Sequence, residues 1–177
     1  QGATPLFIDI DLKKYNIDPN LIEKKLKNPK IGKKIKAIIA TDFAGHPCDW
    51  ESLRYLSKKY NLKLINDNCH AMGAKIDNNK RYAIKYADIV TQSFHPVKNI
   101  TTGEGGAILT NDRKLYKKIL TFRNNGMVQQ KNRYWEYRVN KLSMNFRITD
   151  IQCALGISQL KKLDKFITIR NKIANKY

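Results

Sequence analysis

The sequence predicts an α/β fold: a mixed, mostly parallel sheet flanked by helices. Three observations carry that prediction. Short apolar runs alternate with segments whose apolar residues recur at helical spacing. The run from Ile35 to Phe43 is nearly continuous in apolar residues, as a strand buried in a parallel sheet tends to be. The link between the apolar runs at 88–94 and 105–110 is too short for a crossover helix, so that last pair is expected to be antiparallel.

The elements follow in order. Leu6–Ile10 reads as a short strand. Asp18 followed by Pro19 marks a helix start, and Leu21, Ile22 and Leu26 give that helix an apolar face. After the Ile35–Phe43 strand, Asp49 caps a helix with Trp50, Leu53, Leu56 and Tyr60 on one side. Leu62–Ile65 is the next strand. A turn-rich stretch with Asp77-Asn78-Asn79 leads to strands at Asp88–Phe94 and Gly105–Thr110. Asn111-Asp112 opens a helix carrying Leu115, Ile119 and Phe122. Thr149 and Gln152 form a capping box, and the helical run beyond it extends to the last residue, with a break near Leu163.

Composition narrows the function. The 177 residues suit one domain with a real core, and no apolar run approaches the length of a membrane span. The first residues, QGATPLFIDID, do not form a signal peptide. Three cysteines, far apart and without CxxC spacing, argue against a disulfide framework or structural zinc, and make a reducing cytoplasm the simplest compartment. The three histidines show no metal-ligand spacing, so no metal is expected. The net charge is +19, a balance that usually suggests a nucleic-acid partner. However, 26 of the 34 basic residues are Lys, spread as pairs over candidate helices, where a solvated face is the plainer reading. A basic nucleic-acid-binding domain is the non-enzyme alternative.

In open α/β sheets ligands sit beyond the carboxyl ends of the strands. Three loops there carry polar and ionisable residues: Thr41–Pro47, Asp67–His70 and Ser93–Lys98. Lys98 follows a buried strand and precedes the flexible run TTGEGG. It is either a solvated charge or an amine desolvated enough to act as a nucleophile. Ser93 and nearby backbone N–H groups could hold a phosphate. Asp67 either caps the next segment or pairs with a protonated pyridine nitrogen. His70 is either an ordinary loop histidine or a neighbour of a cofactor ring. Asn145 and Arg147 stand just before a helix start, where an anion could bind. No GxGxxG follows the first strand, and neither GxxxxGK[ST] nor GxSxG occurs, which argues against Rossmann cofactors, P-loop nucleotides and α/β-hydrolase chemistry.

The segments NDNCHAMG (66–73), SFHPVKNITTGEGG (93–106) and NFRITDIQ (145–152) together resemble the DegT/DnrJ/StrS family of sugar aminotransferases, which use pyridoxal 5′-phosphate (PLP). The resemblance covers nearly the whole chain. It implies part of the large domain of a fold type I PLP aminotransferase. The wording HPVK…TTGEGG, with Tyr134-Trp135 before NFR, is most similar to the branch that aminates C4 of a UDP-4-keto-6-deoxy-N-acetylhexosamine, towards pseudaminic acid and cell-surface polysaccharide. Branches making 4-amino-arabinose or perosamine are the alternative.

Residue by residue, the resemblance implies that Lys98 carries the PLP and moves protons. Asp67 would hold the pyridine nitrogen protonated, His70 would lie near the ring's phenolic oxygen, and Ser93 would bind the phosphate. Asn145 would reach the phosphate in a partner subunit, making a homodimer with composite sites. Glutamate is the implied amino donor. A sister branch with His in place of this lysine dehydrates sugars, and Lys98 argues against it. Members of the family are about twice this long. Residues 1–177 are therefore expected to be the central part of the PLP-binding large domain, without the N-terminal phosphate-loop region and the C-terminal small domain, and inactive alone.

Overall fold

A computed structural model describes residues 2–130 and 132–177. Its centre is a four-stranded sheet of β1 (Ala37–Thr41), β2 (Lys63–Asp67), β3 (Ile89–Ser93) and β4 (Gly106–Leu109), in that order. β1, β2 and β3 run parallel, whereas β4 returns antiparallel to β3, as the short link requires. Helix α1 (Pro19–Leu26) precedes the sheet. Helix α2 (Trp50–Lys59) links β1 to β2, and the single turn and a half of α3 (Tyr82–Tyr86) lies in the β2–β3 link. After β4 come α4 (Arg113–Arg123), a hairpin of β5 (Met127–Gln130) and β6 (Arg133–Val139), then α5 (Asp150–Leu160) and α6 (Leu163–Ala174).

Local chemistry explains the helix starts. The Asp18 carboxylate accepts the Asn20 N–H, with Pro19 at the first helical position. Asp49 accepts from Ser52, and Asp112 from Lys114 and Leu115. Thr149 and Gln152 cap each other reciprocally, an arrangement whose removal typically costs about 1 kcal/mol. The expected break falls at Lys161-Lys162, between α5 and α6.

Strand alternation then divides the sheet into two faces. One face turns Ile38, Ala40, Leu64, Asn66 and Val90 into a core shared with Ile22 and Leu26 of α1, Trp50, Leu53 and Leu56 of α2, and Tyr82 of α3. The other face carries Ile39 (63% exposed) and Ile108 (51% exposed), so within this chain the apolar run through β1 is covered on one side only.

One expectation needs correction, and two elements stand where the sequence announces none. Leu6–Ile10 forms no strand: among the described residues its one strand-like pairing is the bridge between Ile10 and Ile17, and Phe7 stays exposed. Helix α3 lies inside what reads as a turn-rich link, because five residues are too few to display a helical period. The β5–β6 hairpin is also absent from the sequence reading. Its strands mix polar and apolar residues without clean alternation, and a register shift at Gln129/Gln130 breaks the period of two.

Candidate active site

The carboxyl ends of β2 and β3 bring three of the expected residues together. Asp67 is the last residue of β2 and stands opposite Thr91 of β3; Ser93, two residues further on, lies on the same face. Asp67 is half-buried, and its Oδ1 accepts the Cys69 N–H at 3.2 Å. The Cys69 thiol lies 3.9 Å from Thr91 Oγ1. Burial pushes the Cys69 pKa up, a hydrogen bond from the thiol to the Asp67 carboxylate adds to that rise, and Thr91 and the Lys98 ammonium oppose it. Lys98 thus acts electrostatically on the same cluster that Asp67 acts on.

The loop carrying Lys98 is tied at its neck. Phe94 N–H donates to Gly105 O at 2.8 Å, and the Thr101 hydroxyl and Thr102 N–H both donate to Phe94 O at 3.0 Å. Inside the loop, Lys98 N–H donates to His95 O at 3.0 Å, a tight turn over Pro96 that gives the lysine its place. The loop is also braced from outside. Asn99 Nδ2 donates to Met72 O at 2.8 Å, joining it to the loop that follows Asp67. From α6, Arg170 donates to Asn99 Oδ1 at 2.8 Å and to Lys98 O at 3.3 Å. From α5, Gln152 Nε2 donates to Glu104 O at 2.8 Å, and Gly156 lies so close to Thr102 that a Cβ there would stand 2.9 Å from its methyl. The sequence reading passes over Asn99, Arg170 and the bracing role of Gln152, because contacts between residues 48 to 72 positions apart leave no local pattern.

The remaining candidates sit differently. Ser93 Oγ accepts the His95 N–H at 3.4 Å. His70 is exposed, its ring 6.2 Å from Phe43 and tilted by 59°. Asn145 is exposed, bridges to Asn124, and accepts the Arg147 N–H through Oδ1 at 3.1 Å. Among the described residues no hydrogen bond joins Asn145 to Lys98, Asp67 or Ser93. Two cavities, of about 590 and 430 Å³, lie elsewhere, beside α1 and beside His46. The candidate site is an open ledge at the sheet edge. The Asp67 carboxylate and the Thr91 and Ser93 hydroxyls share that ledge, and the Lys98 loop is braced beside it, a set of groups that suits a phosphorylated pyridine: acid for the ring nitrogen, amine for its aldehyde, hydroxyl for its phosphate.

Behind the ledge a second network is fully buried. Asp42, just after β1, accepts hydrogen bonds through Oδ1 from Cys48 N–H (2.8 Å) and Trp50 Nε1 (2.9 Å). Through Oδ2 it accepts from Tyr82 OH (2.7 Å), Asn68 Nδ2 (2.8 Å) and Asn66 Nδ2 (3.2 Å). The sequence reading notes Asp42 only as one polar residue of a loop.

Comparison with known proteins gives a consistent picture. A family model described as the DegT/DnrJ/EryC1/StrS aminotransferase family matches residues 1–177. The chain is 44% identical over 178 residues to the UDP-4-amino-4,6-dideoxy-N-acetyl-beta-L-altrosamine transaminase of Campylobacter jejuni, covering 99% of this chain and 45% of that protein. It superposes on Helicobacter pylori PseC, an aminotransferase involved in pseudoaminic acid biosynthesis, with TM-score 0.81 and 40% identity, over 92% of this chain and 41% of that one. It also superposes on the Escherichia coli GDP-4-keto-6-deoxy-D-mannose-3-dehydratase with bound hydrated PLP, with TM-score 0.81 and 29% identity, over 96% of this chain and 45% of that one. The chain therefore spans less than half the length of these relatives.

Proposed function

The chain belongs to the DegT/DnrJ/EryC1/StrS aminotransferase family, and on that premise we propose that it is the central part of the large domain of a PLP-dependent nucleotide-sugar aminotransferase. The whole protein moves an amino group from glutamate to C4 of a UDP-4-keto-6-deoxy-N-acetylhexosamine. The observation that carries this reading is the juxtaposition of Asp67, Ser93 and the Lys98 loop at one sheet edge, in a chain that shares 44% identity with a UDP-sugar transaminase. PLP, when bound, supplies the electron sink through which an amino group leaves one carbon and joins another.

The chain's own residues do the rest. The Asp67 carboxylate keeps a pyridine nitrogen charged, because a nearby opposite charge favours the protonated form. Ser93 would donate its hydroxyl to the phosphate, and His70 would hydrogen-bond the ring's phenolic oxygen. Lys98 would hold the cofactor, and its free amine would carry protons to and from the reacting carbons. Asn145 completes the phosphate site of the partner in a homodimer. The odd, widely spaced cysteines suit a cytoplasmic enzyme; no described helix is long and apolar enough to cross a membrane.

The test uses the full-length protein with PLP, glutamate and a UDP-4-keto-6-deoxy-N-acetylhexosamine. The expected product carries an amine in place of the keto oxygen, with one 2-oxoglutarate formed for each. Amination of a GDP-linked 4-keto sugar alone would move the protein to the perosamine branch. Formation of no amine from either would overturn the reading.

A further inference from the structure

The buried network behind the ledge grips the residues in front of it. Asp42 Oδ2 binds the side-chain amides of Asn66 and Asn68, and the Asp42 backbone N–H donates to the carbonyl of Asp67 at 3.1 Å. One residue thus holds three consecutive residues, and the middle one is Asp67. With Asn66 and Asn68 fixed on the covered face, strand alternation leaves Asp67 only the ledge. The grip extends sideways. Asn68 Oδ1 accepts Gln92 Nε2 at 2.6 Å, and Gln92 immediately precedes Ser93, which the same alternation turns to the ledge.

The anchor itself is rigid. Trp50 of α2 and Tyr82 of α3 donate to the Asp42 carboxylate from outside β2 and β3, so it cannot rotate without breaking several bonds. Packing alone does not account for these polar side chains. Asn66 Oδ1 and Gln92 Oε1 are buried without a hydrogen-bond partner, a cost that an apolar pair would avoid.

We propose that Asp42, acting through Asn66, Asn68 and Gln92, is a positioning residue that fixes where Asp67 and Ser93 stand for a phosphorylated pyridine cofactor. This inference rests on the PLP reading above.

The experiment compares full-length wild type with Asn68→Ala, Gln92→Leu and Asp42→Asn. Each apoprotein is titrated with PLP, and the visible band of each loaded protein is followed against pH. Asn68→Ala cuts the relay and leaves Asp42 its other donors, so its far-ultraviolet dichroism should match wild type. Its PLP Kd should rise about 10-fold or more, the usual scale when an outer supporting group is removed. The pH midpoint of its visible band should also move, because the charge beside the pyridine nitrogen has moved. Gln92→Leu should weaken PLP binding with a smaller change in that midpoint. Asp42→Asn should reproduce both effects; if it does not fold, the other two variants decide. Variants that lose thermal stability yet keep the wild-type Kd and midpoint would overturn the inference. A full-length wild type that binds no PLP would overturn the cofactor reading and this inference with it. Normal binding by wild type and variants alike would overturn this inference alone.

Discussion

Asp67 shows how one position on a strand acquires a task. The residue before it and the residue after it are both amides held from behind, so its own carboxylate faces the sheet edge where Lys98 is carried. Removing that charge should leave the core intact, since the core lies on the other face. In the full-length enzyme Asp67→Ala is expected to lower kcat by about 100-fold or more, the scale for one well-placed electrostatic group. Circular dichroism should be unchanged, and steady-state kinetics near wild type would refute the role. The places of Asp67, Ser93 and Lys98 at or just beyond strand ends are legible in the sequence, because each ends or follows an apolar run that had to be a strand. Asp42, Asn99 and Arg170 are not. Their partners are distant in sequence, and an Asp in a loop looks the same whether five donors converge on it or water does.

At the scale of elements, caps and apolar faces act locally and were readable: Asp18, Asp49, Asp112 and Thr149 start their helices as their side chains dictate. The strand expected at Leu6–Ile10 fails because a strand exists only when another strand pairs with it, which no local pattern specifies. The turn that leads from α4 into β5 is one that the sequence does encode, in Asn124-Asn125-Gly126. Asn125 and Gly126 both have left-handed backbone, at φ 55° and 70°, and a Cβ on Gly126 would stand 1.8 Å from the Lys141 carbonyl oxygen. Gly126→Ala in the full-length protein should cost more than about 1 kcal/mol in denaturant unfolding, and an unchanged midpoint would contradict this close approach. Helix α1 is tethered to α2 by Glu23, which binds Lys59 at 2.7 Å and Lys27 at 3.2 Å. The hydrogen bond from Lys59, followed by that from Lys27, lowers the Glu23 pKa below its usual value. A depressed carboxylate stabilises the fold above its unfolded pKa and loses that contribution as pH falls through its folded value. Glu23→Gln should therefore lower the melting temperature slightly at neutral pH and not at all in acid. A difference that grows in acid would contradict the pairing.

For the whole molecule, the open sheet face and the exposed Asn145 matter most. Ile39 and Ile108 lie bare on the same side of the sheet as Asp67 and Ser93, in a chain that spans 45% of a curated relative's length. Among the described residues Asn145 makes no hydrogen bond to the ledge, and the role proposed for it in a partner's site is open to a direct test. Full-length Lys98→Ala and Asn145→Ala subunits, each nearly inactive alone, should regain about half of wild-type activity per heterodimer when mixed. In a heterodimer one of the two composite sites carries both defects and the other neither. If subunit exchange is demonstrated by mass and no activity returns, Asn145 does not act across the interface.

Lys98 is the residue to which the cofactor is proposed to attach. Borohydride reduction of the full-length, PLP-loaded protein, followed by proteolysis and peptide mass mapping, tests it most directly. A pyridoxyl increment is expected on the peptide that contains Lys98 and on no other, and is expected to vanish, together with the visible band, in Lys98→Ala. An increment on a different lysine, or a wild-type protein that keeps its visible band and shows no increment at Lys98, would contradict it.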